Sequence, residues 1–195
     1  MSSITGIVLA AGASERMGEP KLLLPFGDTT VLNATLAAVE ASSVDQVVVV
    51  TGCNAGRIEE SITTERATVV RNPDYRRGNM SSFLTGVDAV PESDVFVLVA
   101  GDLPAVRTEA IDAFVERWRS GQLWAAVARY RDRIAHPFLL SRAAVEHARE
   151  VLGDKVLWRA LVDPGDERVV QVPLSFDAPV DVNTREDYGD LVGGE

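Results

Sequence analysis

The sequence predicts an α/β protein: a three-layer, mostly parallel sheet with helices on both faces and a small antiparallel addition in the C-terminal third. Three observations carry that expectation. Short β-branched runs recur between stretches of helical spacing. Several of these runs are apolar at every position, which suits strands covered on both sides of a sheet. The two kinds of segment also alternate, as parallel strands joined by crossover helices must.

Taken in order, residues 7–10, 47–51, 68–70, 95–100 and 125–130 read as strands. Between them, Leu32, Leu36 and Val39 mark the inner face of one helix, and Phe83, Leu84, Val87 and Val90 that of a second. Ile111, Phe114, Val115 and Trp118 mark a third helix, with Thr108 as its expected cap. Past Tyr130 the alternation loosens. Residues 136–140 and 169–173 read as strands suited to antiparallel addition, with helices expected over 142–151 and 185–192. No repeat, low-complexity tract or linker interrupts the chain, and Asp163, Pro164, Gly165 and Asp166 make a turn, so one domain is expected over 1–195.

Composition narrows the function classes. With 46% apolar and 25% charged residues in 195, the chain has the make-up of an ordinary globular protein, not of a disordered, collagenous or disulfide-stapled one. Lys and Arg number 19 against 29 Asp and Glu, a net charge of −10, which argues against a broad nucleic-acid-binding face. An anionic ligand must then be met by a local concentration of cations or by a metal. Only Lys21 and Lys155 among the basic residues are lysines. The single Cys53 has no intramolecular partner and no zinc-type spacing around it. No apolar run reaches the ~20 residues that span a bilayer, and the first cation, Arg16, follows the apolar stretch at 7–11 rather than preceding it. The expectation is a cytoplasmic protein with no membrane or nucleic-acid partner.

The stretch LAAGASERMGEPK, residues 9–21, is the most informative. It leaves an apolar strand, passes through small residues, and carries Arg16 and Lys21. Backbone N–H groups of Leu9, Ala10, Ala11 and Gly12, with the Ser14 hydroxyl, can approach a nucleotide closely there, and the two cations can neutralise its phosphates. It is neither GxGxxG nor a P-loop, since Lys21 sits between Pro20 and Leu22. The plain alternative is a strand-to-helix turn with solvated charges. Asp102 closes the apolar run FVLVAGD, a strand end where ligands gather in open parallel sheets; it can hold Mg²⁺ or cap a turn. Asp181 has the same two readings, and Thr184 with Asp187 three residues later is a capping pair for the last helix. In residues 72–86, Asn72, Gly78, Ser81 and Ser82 offer amides and hydroxyls that can read a base or ribose, while either serine can cap the next helix. His136, before Pro137, has no Ser/His/Asp spacing around it.

These residues carry a resemblance. LAAGASERMGEPKLLLPFGDTTVL is similar to the signature of the MobA-like nucleotidyltransferases, LAAGxSxRMGxxK followed by L(L)LPFG, particularly the branch that transfers CMP onto molybdopterin. NPDYRRGNMSSFLTG at 72–86, AGDLP at 100–104, HPFLL at 136–140 and DVNTREDY at 181–188 follow in matching order, so the likeness covers nearly the whole chain. It implies a Rossmann-like nucleotidyltransferase fold in which Arg16, Lys21 and Asp102 are catalytic. Asp102 and Asp181 would hold Mg²⁺ or Mn²⁺, and Leu9, Ala10, Ala11, Gly12, Ser14, Asn72, Gly78 and Ser82 would line the nucleotide pocket. Asn183 stands where the family's DxDT element has its second Asp. His136, Asp154 and Arg159 would face the acceptor, although GDKVLWRAL from Gly153 departs from the family's GDxGAR-like loop. Implied partners are a nucleoside triphosphate, CTP first, a phosphorylated pterin acceptor, and a molybdenum hydroxylase receiving the product. Three alternatives stay open at this point: a GTP-using or sugar-phosphate transferase of the same fold, an NAD(P)H-dependent reductase reusing the cleft, and a non-catalytic maturation partner of a molybdenum enzyme.

Overall fold

Strand and helix alternate along the computed structural model, which describes residues 2–64, 66–121, 123–151 and 167–193. The strands are β1 (Ile4–Ala10), β2 (Pro25–Phe26), β3 (Thr29–Thr30), β4 (Gln46–Thr51), β5 (Ala67–Arg71), β6 (Val95–Ala100), β7 (Ala125–Arg129), β8 (Ile134–Ser141) and β9 (Val169–Pro173). The helices are α1 (Val31–Glu40), α2 (Ala55–Ser61), α3 (Asn79–Asp88), α4 (Thr108–Arg119), α5 (Arg142–Val151) and α6 (Arg185–Gly193). Among these helices none is long and apolar enough to cross a membrane.

Seven strands form one sheet in the order β5-β4-β1-β6-β8-β7-β9, and β2 pairs with β3 in a separate antiparallel ribbon. Side chains alternate across a strand, so the continuous apolar runs supply two cores at once. Val8, Val47, Val49, Val95, Val97 and Val99 face α1 and α4, meeting Leu32, Leu36, Phe114 and Val115. Ile7, Val48, Val50, Phe96 and Leu98 face the other way, toward Phe83 and Val87 of α3 and Val145 of α5. A one-residue slip of any central strand would exchange the two sets and misfit both layers.

The structure departs from the sequence expectations in four places. Strand β1 begins at Ile4 because Thr5, though polar, is fully buried with its hydroxyl paired to Ser93. Only β8 runs antiparallel within the large sheet, hydrogen-bonded to β6 on one side and β7 on the other, whereas β9 runs parallel to β7. The short turn closed by the Tyr130 N–H on the Arg133 carbonyl, 3.0 Å, reverses the chain and inserts β8 between its neighbours. Helix α2 buries only Ala55 and Ile58, too few apolar positions to leave a periodic signal. Finally, Thr108 does not cap α4: its hydroxyl donates to the Ala38 carbonyl at 3.1 Å and fastens α4 to α1.

Strands β5, β4, β1 and β6 are mutually parallel, so their carboxyl ends share one rim. The chain moves outward from β1 to β4 and β5, then returns to the far side of β1 for β6. That reversal opens a crevice between the ends of β1 and β6, the usual seat of ligands in open α/β sheets.

Candidate active site

Residues 11–20 leave the end of β1 over this crevice. The loop is anchored by Met17, 3% exposed and packed into the core beneath. Ser14 adopts φ 54°, a left-handed conformation that costs a non-glycine residue about 1 kcal/mol and is held here by its own bonds. Its carbonyl accepts from the Met17 N–H at 3.0 Å and its hydroxyl from the Lys21 N–H at 3.2 Å. The loop therefore arches outward and returns Lys21 to the crevice. Below it, the Leu9 carbonyl accepts from Gly101 at 2.9 Å and the Ala11 carbonyl from Cys53 at 3.1 Å, tying the ends of β1, β6 and β4 together.

The arch encloses a cleft of ≈ 730 Å³ lined by Gly12, Ala13, Ser14, Glu15, Arg16, Lys21, Cys53, Tyr75, Arg76 and Asn183. Lys21 forms an ion pair with Asp102, each side chain about 15% exposed, and donates to Asn183 Oδ1 at 3.2 Å. Arg16 Nη2 donates to the same oxygen at 2.9 Å. In a chain of net charge −10, three cations, Arg16, Lys21 and Arg76, thus converge on one concave surface, one of them paired with the Asp102 carboxylate. The arrangement suits a polyphosphate: cations for its oxygens and small loop residues from Gly12 to Ser14 for close approach, with Asp102 paired to one of the cations.

A model of the MobA-like NTP transferase domain matches residues 6–169. The chain belongs to the MobA-like NTP transferase family. Among its relatives is the molybdenum cofactor cytidylyltransferase of Escherichia coli K12, 30% identical over 96% of this chain and 95% of that protein. Another is the nicotine blue oxidoreductase of Paenarthrobacter nicotinovorans, 32% identical over 77% of this chain and 78% of that one. The Rv0371c protein of Mycobacterium tuberculosis H37Rv superposes with TM-score 0.86 at 31% identity, covering 98% of each chain. A second Rv0371c structure, a complex with manganese, superposes with TM-score 0.82 at 29% identity over the whole of both chains.

Within this MobA-like domain the neighbouring Asp102 and Asp181 carboxylates, the first of them paired with the cleft's Lys21, suit a hard divalent cation. Burial beneath the rim, and next the nearby Asp102 charge, hold the Asp181 carboxyl above the usual carboxylate range, against the opposing pull of Arg133 and Lys21. Two mutually repelling carboxylates are what a bound Mg²⁺ or Mn²⁺ would relieve. Among the described residues no group of three or more His, Cys, Asp and Glu stands ready as a complete cage. Asp102 and Asp181 would therefore hold such an ion together with oxygens of substrate and water, the usual manner for Mg²⁺.

Other expected site residues are placed differently. Asn72 is 2% exposed, and its amide is used within the chain: Nδ2 donates to Ser81 Oγ at 2.9 Å and Ser82 Oγ at 3.0 Å, and Oδ1 accepts from the Asp74 N–H at 2.9 Å. Neither serine caps α3, which starts from Gly78 with no side-chain cap. Gly78 has φ 112°, a conformation that favours glycine, and turns the chain from the 3-10 turn of Tyr75–Arg77 into α3. The Asn72 knot thus shapes the segment that delivers Tyr75 and Arg76 to the cleft. His136 lies near the start of β8, which runs antiparallel to β6 and so begins beside the carboxyl end of β6, its Nδ1–H donating to the Leu98 carbonyl at 3.2 Å. Desolvation pulls its pKa down, opposed by that carbonyl and by the charge of Asp102. Asp154 and Arg159 lie outside the described residues.

The cleft also takes in Cys53 and Tyr75, which no sequence motif marks as lining residues, although the strand-end rule applied to β4 points to Cys53. Tyr75 approaches through Gly52, where an added Cβ would lie 2.7 Å from Tyr75 Cβ and 2.8 Å from Ala11 Cβ. No local pattern marks that contact, because it joins the ends of β1, β4 and β5.

Proposed function

We propose that this protein is a nucleotidyltransferase that moves CMP from CTP onto the phosphate of molybdopterin and releases pyrophosphate. The observation that carries the reading is the convergence of Arg16 and Lys21 with Asp102 at the switch point of a parallel sheet, in a chain otherwise strongly acidic. The Escherichia coli cytidylyltransferase supports the choice of nucleotide and acceptor, since it aligns along almost the full length of both chains.

The chemistry asks little covalent work of the protein. An acceptor phosphate oxygen attacks the α-phosphorus, the bond to the bridging oxygen breaks, and pyrophosphate leaves. Both reactants are anions, so the barrier falls chiefly through alignment and charge neutralisation. Lys21 and Arg16 bind triphosphate oxygens, with Lys21 exchanging Asp102 for phosphate. The N–H groups of Gly12 to Ser14 fix the phosphate chain, and the 72–82 segment holds Tyr75 and Arg76 beside it. Asp102 and Asp181 would hold a divalent cation, which supplies further neutralisation of the triphosphate when bound. His136, whose burial disfavours a charged imidazole, would serve the acceptor end of the site near Asp102.

A second reading has one observation in its favour, the likeness to the nicotine blue oxidoreductase: an NAD(P)H-dependent reductase that uses the same cleft. Pyrophosphate release, followed across CTP, GTP, ATP and UTP with purified molybdopterin and either Mg²⁺ or Mn²⁺, separates the two. Release with CTP supports the proposal, and release only with GTP moves the base assignment to guanine. A sugar phosphate accepted in place of the pterin moves the acceptor. NADPH oxidation without pyrophosphate overturns transfer in favour of the reductase, and nucleotide binding without turnover identifies a carrier.

A further inference from the structure

We propose that Arg133 is a positioning residue for Asp181: from the β7–β8 turn, with Asp132 beside it, it clamps the backbone two residues before that carboxylate and so sets where the carboxylate stands against Asp102. This rests on the reading of Asp102 and Asp181 as the holders of a divalent cation. The chain between β9 and α6 forms neither helix nor strand, so no regular ladder of backbone bonds places Asp181. Its position has to come from contacts with other segments.

The turn supplies them. Backbone bonds from the Leu174 N–H to the Arg129 carbonyl, 2.8 Å, and from the Arg131 N–H to the Phe176 carbonyl, 3.2 Å, carry the pairing of β7 with β9 past the end of β9. Side chains then take over. Asp132 Oδ1 accepts from the Ala178 N–H at 2.9 Å, Arg133 Nη2 donates to the Pro179 carbonyl at 2.8 Å, and Arg133 Nη1 pairs with Asp132 Oδ2 at 2.7 Å. The planar fork of the guanidinium thus joins a side chain to a backbone carbonyl, which a single ammonium does less well. Past Asp181, the fully buried Val182 donates its N–H to the Asp102 carbonyl at 3.0 Å. Only Val180 and Asp181 lie between the two anchors.

The anchor at Val182 belongs to the strand end that carries Asp102, and the anchor at Pro179 belongs to the turn. Without the second, Asp181 is free to swing about the first and away from the Asp102 charge, and a metal would have to gather the two carboxylates at a cost in affinity. Charge works in the same direction as geometry. Burial, and next the Asp102 charge, disfavour an ionised Asp181 carboxyl, and Arg133 is the stronger of the two cations opposing them. The other is Lys21, which in the triphosphate reading leaves for phosphate. The fold does not depend on the clamp: the Arg133 and Asp132 side chains are 47% and 38% exposed, and an exposed ion pair adds little to stability. Its effect should therefore be seen in metal binding and not in thermal unfolding.

The double variant Asp132→Asn/Arg133→Met tests the clamp at unchanged net charge: the asparagine oxygen still accepts from Ala178, while the guanidinium and its bond to Pro179 are gone. Mn²⁺ alone is titrated into the full chain without nucleotide, free Mn²⁺ being followed by electron paramagnetic resonance, and thermal unfolding monitors the fold. In the double variant Mn²⁺ affinity is expected to fall about tenfold, as when a partner that orients a metal ligand is removed. The loss persists as KCl is raised, because net charge has not changed. Arg133→Lys, which keeps the charge and can make one of the two bonds, loses about threefold or less. In turnover the Mn²⁺ concentration giving half the maximal rate rises by the same factor, whereas the KM for CTP at saturating Mn²⁺ stays within about twofold, since Arg16 and Lys21 are untouched. Both variants retain the parental thermal transition. Parental Mn²⁺ affinity in the double variant overturns the inference, as does a loss that disappears in KCl or one accompanied by a lowered Tm. Asp181→Asn separates this from the reading beneath it: if that variant binds Mn²⁺ as the parent does, the metal reading fails first and the clamp with it.

Discussion

Replacing Asn72 with alanine separates a residue that shapes the cleft from one that touches a ligand. Its amide makes three hydrogen bonds within the chain, at 2.9, 3.0 and 2.9 Å, and residue and Ser82 partner are each 2% exposed. Each such bond contributes about 1 kcal/mol net, and the buried Ser82 hydroxyl left without its donor adds to the loss. Asn72→Ala is therefore expected to destabilise the protein by about 3 kcal/mol. For a chain of this size that lowers Tm by roughly 6–12 °C. Urea unfolding supplies the free energy, and a cycle with Ser82→Ala the coupling, since residues sharing a bond are not additive. Nucleotide binding, measured well below the transition, is expected to weaken only as far as Tyr75 and Arg76 lose their support. A loss below about 1 kcal/mol, accompanied by a large drop in nucleotide affinity, would refute the reasoning and make Asn72 a ligand contact.

Four further outcomes follow from the site. Lys21→Ala is expected to keep a native thermal transition but reduce transfer by about a hundredfold or more, as loss of a positioned charge does; Asp102→Asn should abolish divalent-dependent turnover. Full activity in either variant counts against the assignment. Asp181→Asn should raise Tm at pH 7 while abolishing activity. The folded chain holds the Asp181 proton more tightly than the unfolded chain, because burial and Asp102 raise its pKa. Stability from the neutral carboxyl is complete below the ordinary aspartate range and is lost as pH rises through the raised value, so the gain in Asp181→Asn should vanish in acid; a gain that persists there contradicts the electrostatic origin. Gly52→Ala places a Cβ 2.7 Å from Tyr75 Cβ and 2.9 Å from the Ala11 carbonyl oxygen. Backbone must shift, costing about 1–3 kcal/mol and displacing Tyr75; unchanged stability by chemical denaturation would show that the strand ends can yield.

Strand β6 and the capping box of α6 show what could be read directly. Five residues from Val95 to Val99 are at most 4% exposed, because a continuous apolar run can be buried only between two layers. Thr184 and Asp187 cap α6 as their spacing implies, since the bond is local. Ser81 and Ser82 have equally good local chemistry but turn to Asn72, nine and ten residues back, and Thr108 turns to Ala38 on another helix. Side chains with several acceptors within reach take the one the packing offers, and the packing lies outside any local window.

Composition, periodicity and the 9–21 loop were enough to determine the layered α/β architecture and to mark the loop after the first strand, with Arg16 and Lys21 on it. The tertiary structure alone decided which partner each charge takes: Lys21 on Asp102, both cations on Asn183, and Tyr75 beside the loop across Gly52. The physical reason is range. Propensity and hydrophobic period act over a few residues along the chain, whereas Arg16 and Asn183 are 167 apart in sequence and meet only because the parallel sheet brings the segments around them to the same rim.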